Sequence, residues 1–335
     1  MSKTPRTALL MHPLVMQELF RDDHLSRLDS LCELVNTTPC RVIDELEDEL
    51  GFLEVIITSY GCPPITDEVL AAMPRLRLIA HLAGSVKGFI DDVAWRRGIT
   101  VVNAVAANAV PVAEFTVAAI LFGNKRVFQL NRAYQQTRAH NAPWEEEAPQ
   151  AGNYKKTVGI VGASHVGRLV VEYLKAFDFS ILVYDPYITP LEARHLGAQK
   201  VGLTELLSGS DVVSLHPPLL AETRHMIGGR ELSLMRQHAT LINTARGAIV
   251  DQDALEAELV QGRLFAVLDT TVPEPLPRDN VLYRLPNVYL TPHIAGSLGT
   301  ETQRLTDYIL DELERYQRGR NLKYRVRRED LARLS

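Results

Sequence analysis

Short apolar strands and helix-forming segments alternate along almost the whole of this chain, and that alternation leaves few folds open. A strand, a helix laid on its face and a return to a parallel strand is the unit of sheets wrapped by helices. In the first third, EVIITSY (54–60) reads as a buried strand. TDEVLAAM (66–73) comes next as a helix, with Thr66 placed to cap it. RLIAHLA (77–83), a helix around 88–97 and ITVVNA (99–104) continue the alternation. A second block supplies the strands VGIVG (158–162), ILVYD (181–185), VVSLH (212–216), TLINT (240–244), FAVLD (265–269) and VYL (288–290). The fold class expected is therefore α/β with parallel sheets.

Between the blocks, the stretch from Val110 to about Arg138 is apolar at helical spacing, with Pro111 near a first-turn position. Its length suits a helix that joins two domains and forms a dimer contact. Arg126, Arg132 and Arg138 are assigned to its polar side. WEEEAPQAGNY (144–154) reads as a polar loop, and a helix after 298 is expected to return the chain to the first domain. The basic tail from Lys323 to Arg328 reads as a solvated or inter-subunit face, and Trp95 and Trp144 as packing residues.

Composition narrows the function classes. The length of 335 residues suits two domains. A net charge of −5 gives no overall basic field, so nucleic acid is not an expected partner. Cys32, Cys40 and Cys62 share no CxxC spacing, which gives neither a disulfide framework nor a zinc site, and no metal is expected. No apolar run is expected to approach the ~20 residues of a membrane span. The start, MSKTPRTALLMHPLVMQELF, is interrupted by His12, Pro13 and Gln17 and does not read as a cleaved signal. The expected location is the cytoplasm.

TVGIVGASHVG (157–167) reads as strand, tight turn and helix start. Glycines there let the backbone reach a pyrophosphate, and the helix N-terminus offers amides and a positive dipole end. The candidate cofactor contacts are Gly162, Ser164, His165, Val166 and Gly167. Asp185 ends the next strand, 18 residues after Gly167, where a carboxylate accepts from ribose hydroxyls and repels a 2′-phosphate. The cofactor expected is NAD rather than NADP. Ser164 replaces the middle glycine of G-x-G-x-x-G; its Cβ limits backbone approach, while its hydroxyl can donate to a phosphate oxygen.

Three groups stand beyond this motif: Arg246 in INTARG, Glu274 in PEPLP and His293 in TPHIAG. A fixed cation, a carboxylate and an imidazole are what hydride transfer to a 2-keto acid requires. The cation holds the anionic substrate, the imidazole supplies the proton, and a carboxylate orients an imidazole and favours its charged form. Arg246 and His293 each come just after a strand, where open α/β sheets keep ligands. Spacing of 19 residues does not by itself join Glu274 to His293. Asp269 either caps the turn beyond its strand or faces the cofactor, and His216 is equally open to a purely structural reading.

With these motifs assembled, the chain resembles the D-isomer-specific 2-hydroxyacid dehydrogenases over nearly its whole length. The segments AGSVKG, VVNAVAANAVPVAEF, TVGIVGASHVG, YDP, SLHPPLLAET, INTARGAIVD, LDTTVPEPLP and TPHIAGS stand in that family's order. DTTVPEPLP is similar to the glyoxylate/hydroxypyruvate reductase branch. The resemblance implies two Rossmann-like domains: a doubly wound NAD domain (110–299) inserted in a flavodoxin-like substrate domain (1–109 and 300–335), with the active site in the cleft. By the same resemblance, Arg246 binds the substrate, His293 is the acid–base group and Glu274 its partner. Backbone amides near Gly84 and Ser85 would hold the carboxylate. Asp269 would orient the nicotinamide carboxamide, Thr244 and Ala245 would line the cofactor, and His216 and Pro217 would sit beside the adenosine. Lys87 stands where the family has an acidic residue, and Lys155 where it often has glycine. The implied activity is NADH-dependent reduction of glyoxylate or hydroxypyruvate to the D-hydroxy acid by a homodimer. The alternatives are a phosphoglycerate dehydrogenase, disfavoured by the lack of a C-terminal regulatory extension, and an NAD-sensing binding protein like the family's corepressor relatives.

Overall fold

The computed structural model describes residues 4–138 and 151–333. The chain forms two compact units, Met1–Asn108 with Ser297–Ser335, and Ala109–Gly296. Trp144 and most of the 144–154 loop lie outside the described residues.

The first unit holds five parallel strands: β1 (Arg6–Leu10), β2 (Glu33–Leu34), β3 (Val55–Thr58), β4 (Leu78–His81) and β5 (Thr100–Asn103). Their spatial order is β2-β1-β3-β4-β5, the flavodoxin-like order. Every residue of β3 and β4 is buried, because helices cover both faces of a parallel sheet. One face packs Leu9, Ile57, Leu78 and Val102 against Leu305, Ile309 and Leu313 of the helix Thr302–Gln317. The other packs Leu10, Ile56, Ile79 and Val101 against Leu70, Met73 and Ala94. Thr66 caps the helix Asp67–Ala71, its Oγ1 accepting from the Val69 amide at 3.4 Å.

Lys323, Arg325, Arg327 and Arg328 of the C-terminal tail are exposed, as a solvated face would be, but the backbone of this segment and Val326 are packed against the first unit. Glu312 is fully buried, and its carboxylate accepts the Lys323 and Tyr324 amides, each at 3.0 Å. Arg325 bridges to Val102 of β5, Val326 enters the core, and Trp95 Nε1 donates to the Val326 carbonyl at 2.9 Å. Arg328 makes a bidentate pair with Asp92. Burial of an unpaired carboxylate is expensive, so the two amides it needs fix the segment in place.

The second unit holds seven parallel strands: β6 (Thr157–Val161), β7 (Ser180–Tyr184), β8 (Gln199–Lys200), β9 (Val212–Leu215), β10 (Thr240–Asn243), β11 (Phe265–Leu268) and β12 (Val288–Leu290). Their order, β12-β11-β10-β9-β6-β7-β8, is that of a dinucleotide-binding sheet extended by one strand. Strand order reverses between β6 and β9, and ligands of such sheets bind at the carboxyl ends beside that switch.

The expected single helix over 110–138 is two helices, Val105–Asn124 and Val127–Thr137. The first starts early because Asn103 Oδ1 accepts from the Val105 amide at 3.4 Å, a start signal the apolar pattern does not carry. Pro111 consequently lies inside the helix and not in its first turn. The break falls at Arg126, whose φ is 56°. Its guanidinium is buried over the Phe265 ring, 4.0 Å from the centroid, and donates to the His238 carbonyl at 2.6 Å. That anchoring pulls Arg126 off the polar side to which the sequence assigned it. The early start also overturns the expectation about apolar length. Val105–Asn124 is twenty residues long with Glu114 as its sole charge, long and apolar enough to span a membrane by those two measures. Ala113, Thr116 and Ile120 are fully buried in the second unit's fold, as in a core helix.

Candidate active site

The turn after β6 is built around backbone that only glycine tolerates. Gly162 has φ +93°, and a Cβ there would stand 2.7 Å from the Pro217 nitrogen, across the β6–β9 switch. A Cβ on Gly167 would stand 2.0 Å from the Gly162 carbonyl oxygen. A side chain at either position would collide with that backbone, so the two glycines keep the turn tight enough for the first-turn amides to be presented. Ser164, by contrast, has φ −66°, a conformation open to any residue. It caps the helix His165–Leu174, its Oγ accepting from the Gly167 amide at 3.4 Å. Because a hydroxyl has one proton and two lone pairs, this bond leaves the proton to donate outward. The residues present fit a dinucleotide.

Asp185, just past β7, ties this turn down. Its Oδ2 accepts from the Ala163 amide and its Oδ1 from the Tyr187 amide, both at 2.7 Å. Each oxygen keeps a further lone pair for a ribose hydroxyl. His216 lies across the switch point, buried, with Nε2 2.9 Å from Ser214 Oγ. Burial pushes its imidazole down to about 3, so it is neutral, and its Nδ1 has no hydrogen-bond partner among the described residues. Thr244 is buried with Oγ1 3.0 Å from Thr116 Oγ1, and the Ala245 amide donates to Asn243 Oδ1 at 3.1 Å.

The loop after β12 presents His293, and the loop after β11 presents Glu274. His293 Nδ1 lies 2.9 Å from Glu274 Oε1. A carboxylate only accepts, so Nδ1 carries the proton of this bond and Nε2 is the ring nitrogen left for exchange. Both side chains are more than 40% exposed, so the pair contributes at most about 1 kcal/mol to stability. What it supplies is ring orientation. His293 has φ 57°, and its amide donates to the Asp269 carbonyl at 3.0 Å. The buried Asp269 carboxylate takes three donors from the same loop: Thr291 Oγ1 at 2.6 Å, the Ile294 amide at 2.8 Å and the Ala295 amide at 3.0 Å. Of its two readings, the geometry displays the structural one: Asp269 clamps the turn that holds the histidine.

Arg246 lies just past β10, exposed, with its own Nη1 donating to the Ala245 carbonyl at 2.7 Å. Asn243 Nδ2 donates to the Arg246 carbonyl at 2.9 Å. Gly247 beside it has no room for a side chain, since a Cβ would stand 2.3 Å from the Thr271 carbonyl group. The Arg246 loop is thus pressed against the backbone that leads to Glu274. Thr291 and Thr116 are supporting residues whose roles sequence reasoning missed, since their partners Asp269 and Thr244 lie far away in sequence.

In the first unit, Gly84 and Ser85 lie just past β4, and Ser85 Oγ accepts from the Lys87 amide at 3.2 Å. Lys87 is exposed. The second-unit residues expected to act in catalysis or cofactor binding all follow the carboxyl ends of their strands.

The family described as D-isomer specific 2-hydroxyacid dehydrogenase, NAD binding domain, matches residues 117–295. The chain belongs to the D-isomer specific 2-hydroxyacid dehydrogenases. It is an NAD-dependent oxidoreductase of this family, as its motifs implied. A glyoxylate reductase of Korarchaeum cryptofilum is 36% identical over 265 residues, covering 78% of this chain and 80% of that one. A D-3-phosphoglycerate dehydrogenase of Methanocaldococcus jannaschii is 31% identical over 279 residues, 82% of this chain but 52% of that one. The chain therefore spans about half the length of that second relative. A solved phosphoglycerate oxidoreductase from Rhizobium etli superposes with a TM-score of 0.83 at 27% identity, over 96% of this dehydrogenase and 98% of the other.

Proposed function

We propose that this dehydrogenase reduces short 2-keto acids with NADH, glyoxylate or hydroxypyruvate first among them, to D-2-hydroxy acids. The observation that carries this reading is the His293–Glu274 pair, 2.9 Å apart at the sheet edge where the Gly162 turn opens. A bound nicotinamide dinucleotide supplies the hydride taken up by C2 of the keto acid. Arg246 holds the substrate carboxylate and the carbonyl oxygen as charge builds on it. His293 gives the proton from Nε2 to that oxygen, and in the reverse direction takes it back. Glu274 keeps the ring turned so that Nε2 points at the substrate. Asp185 meets the adenosine ribose, Ser164 and the first-turn amides of His165–Leu174 meet the pyrophosphate, and His216 and Pro217 flank the adenosine. Thr244 and Ala245 line the cofactor, with Asp269 toward the nicotinamide end. Gly84 and Ser85 amides are the first unit's candidates for the substrate carboxylate.

A second reading, reduction of 3-phosphohydroxypyruvate, draws support from exposed Lys87 beside Ser85 and from the phosphoglycerate dehydrogenase relatives. A panel of 2-keto acids assayed with NADH and with NADPH, monitored by loss of nicotinamide absorbance, decides. Glyoxylate and hydroxypyruvate with NADH are expected to give the highest kcat/KM. A higher value on 3-phosphohydroxypyruvate selects the second reading, and no turnover on any keto acid contradicts both. We further place the enzyme in the cytoplasm as a homodimer. Three free thiols support a reducing compartment, and exposed Phe122 and Tyr134 on the two adjoining helices support an interface there.

A further inference from the structure

Glu274 can hold the His293 ring only if its own loop stays still, and that loop is exposed from Val272 to Pro275. Pro273 and Pro275 bring no N–H to the stretch. Thr271 Oγ1 donates to the Pro273 carbonyl at 2.9 Å, a bond made within the loop. The tie from outside comes from Gln252, the first residue of the helix Gln252–Val260, on the segment that follows Arg246. Its Oε1 accepts from the Val272 amide at 2.8 Å, two residues before Glu274.

A glutamine side chain can present either its oxygen or its nitrogen. Glu256, one turn along the same helix, removes that freedom. Gln252 Nε2 donates to Glu256 Oε1 at 3.1 Å. A carboxylate only accepts and a backbone amide only donates, so both partners of Gln252 demand the same orientation of its amide. Asn280 Nδ2 donates to the same Glu256 oxygen at 2.8 Å, and Asn280 Oδ1 accepts from the Leu282 amide at 2.9 Å. Glu256 thus gathers both ends of the loop, Val272 through Gln252 and Asn280 directly. Between them Leu276 is buried in the second unit's core, while Glu274 itself stays exposed.

We propose that Gln252, with its amide set by Glu256, is a positioning residue for the reduction: it holds Val272 so that the Glu274 carboxylate stays on His293 Nδ1. The inference rests on the reading of His293 and Glu274 as the proton-transfer pair. The test is a double-mutant cycle of Gln252→Met and Glu274→Ala in the full chain, with kcat on the best keto acid and NADH affinity from nicotinamide fluorescence. Gln252→Met should lower kcat by about ten- to a hundredfold with NADH bound as in the parent, the scale of a catalytic group displaced by up to ~1 Å. With Glu274→Ala already in place, the same change should alter kcat by less than about twofold, because its effect runs through the missing carboxylate. Gln252→Glu keeps an oxygen for the Val272 amide and should recover most of the loss. Should Gln252→Met fail to fold, Glu256→Ala, which frees the Gln252 amide to rotate, takes its place in the cycle with the same direction expected. Parent-like kcat in Gln252→Met, an equal loss in both backgrounds, NADH affinity falling with kcat, or no recovery in Gln252→Glu overturns the proposal and leaves the His293–Glu274 reading standing. Turnover of Glu274→Ala at the parent rate sinks that reading and the proposal with it.

Discussion

Ser164 shows how a departure from a motif is resolved by one dihedral angle. With φ at −66° the position asks nothing of its residue that serine lacks, whereas Gly162 at +93° and Gly167, pressed on the Gly162 carbonyl, have no substitute. Sequence spacing cannot tell these three positions apart, because the same letter serves tight turns and close packing. Asp185 is more constrained than its strand-end position suggests, since it holds the Ala163 amide as well as facing the expected ribose. Asp185→Ala should therefore narrow the preference for NADH over NADPH by tenfold or more, on the scale of one lost charged hydrogen bond, and raise the KM for both. Steady-state KM values for the two cofactors check this; an unchanged ratio contradicts the role. Asp269 was legible as a strand-end carboxylate, but its three loop donors lie 22 to 26 residues away in sequence and left no local pattern.

At the scale of elements, strands were legible because burial on both faces writes continuous apolar runs. The two-residue strands β2 at Glu33–Leu34 and β8 at Gln199–Lys200 were not, and neither was β1 at Arg6–Leu10, whose apolar run is only Ala8–Met11. Helix boundaries failed where tertiary contacts set them. The break at Arg126 is made by an aromatic ring and a carbonyl more than a hundred residues onward. Lys155 gives the converse lesson. It stands where the family often has glycine, and its φ is 55°. A left-handed residue with a Cβ costs roughly 1–2 kcal/mol, offset in part by the greater chain entropy of an unfolded glycine. Lys155→Gly should stabilise the protein by up to about 1 kcal/mol, with Lys155→Ala giving no such gain. Urea unfolding compares the three; a glycine variant weaker than the parent contradicts the argument.

Across the whole molecule, each unit buries a histidine that stays neutral. Burial holds His81 down to about 4, with Nδ1 2.9 Å from Thr58 Oγ1, and His216 down to about 3. An unfolded histidine titrates near 6.5, so between these values the unfolded chain binds the extra proton. Stability from each group is complete above about pH 6.5 and is lost as pH falls toward 4 and 3. Lowering pH from 7.5 to 5.5 should cost about 1 kcal/mol per histidine. Urea unfolding at the two pH values, in the parent and in His81→Gln, should show the variant losing about 1 kcal/mol less; equal losses contradict the assignment. Chain topology was the most legible level of all. Two parallel sheets in the flavodoxin-like and dinucleotide-binding orders agree with the alternation of elements, whereas the proximity of His293 to Glu274 needed the loops after β11 and β12 to be seen.

The central claim is that His293, turned by Glu274, moves the proton. Its most direct measurement is the turnover of His293→Ala on the best keto acid, with NADH affinity measured in parallel by nicotinamide fluorescence. The account predicts a kcat lower by ~10²–10⁴ with NADH bound as in the parent. Turnover at the parent rate, with the cofactor still bound, contradicts it.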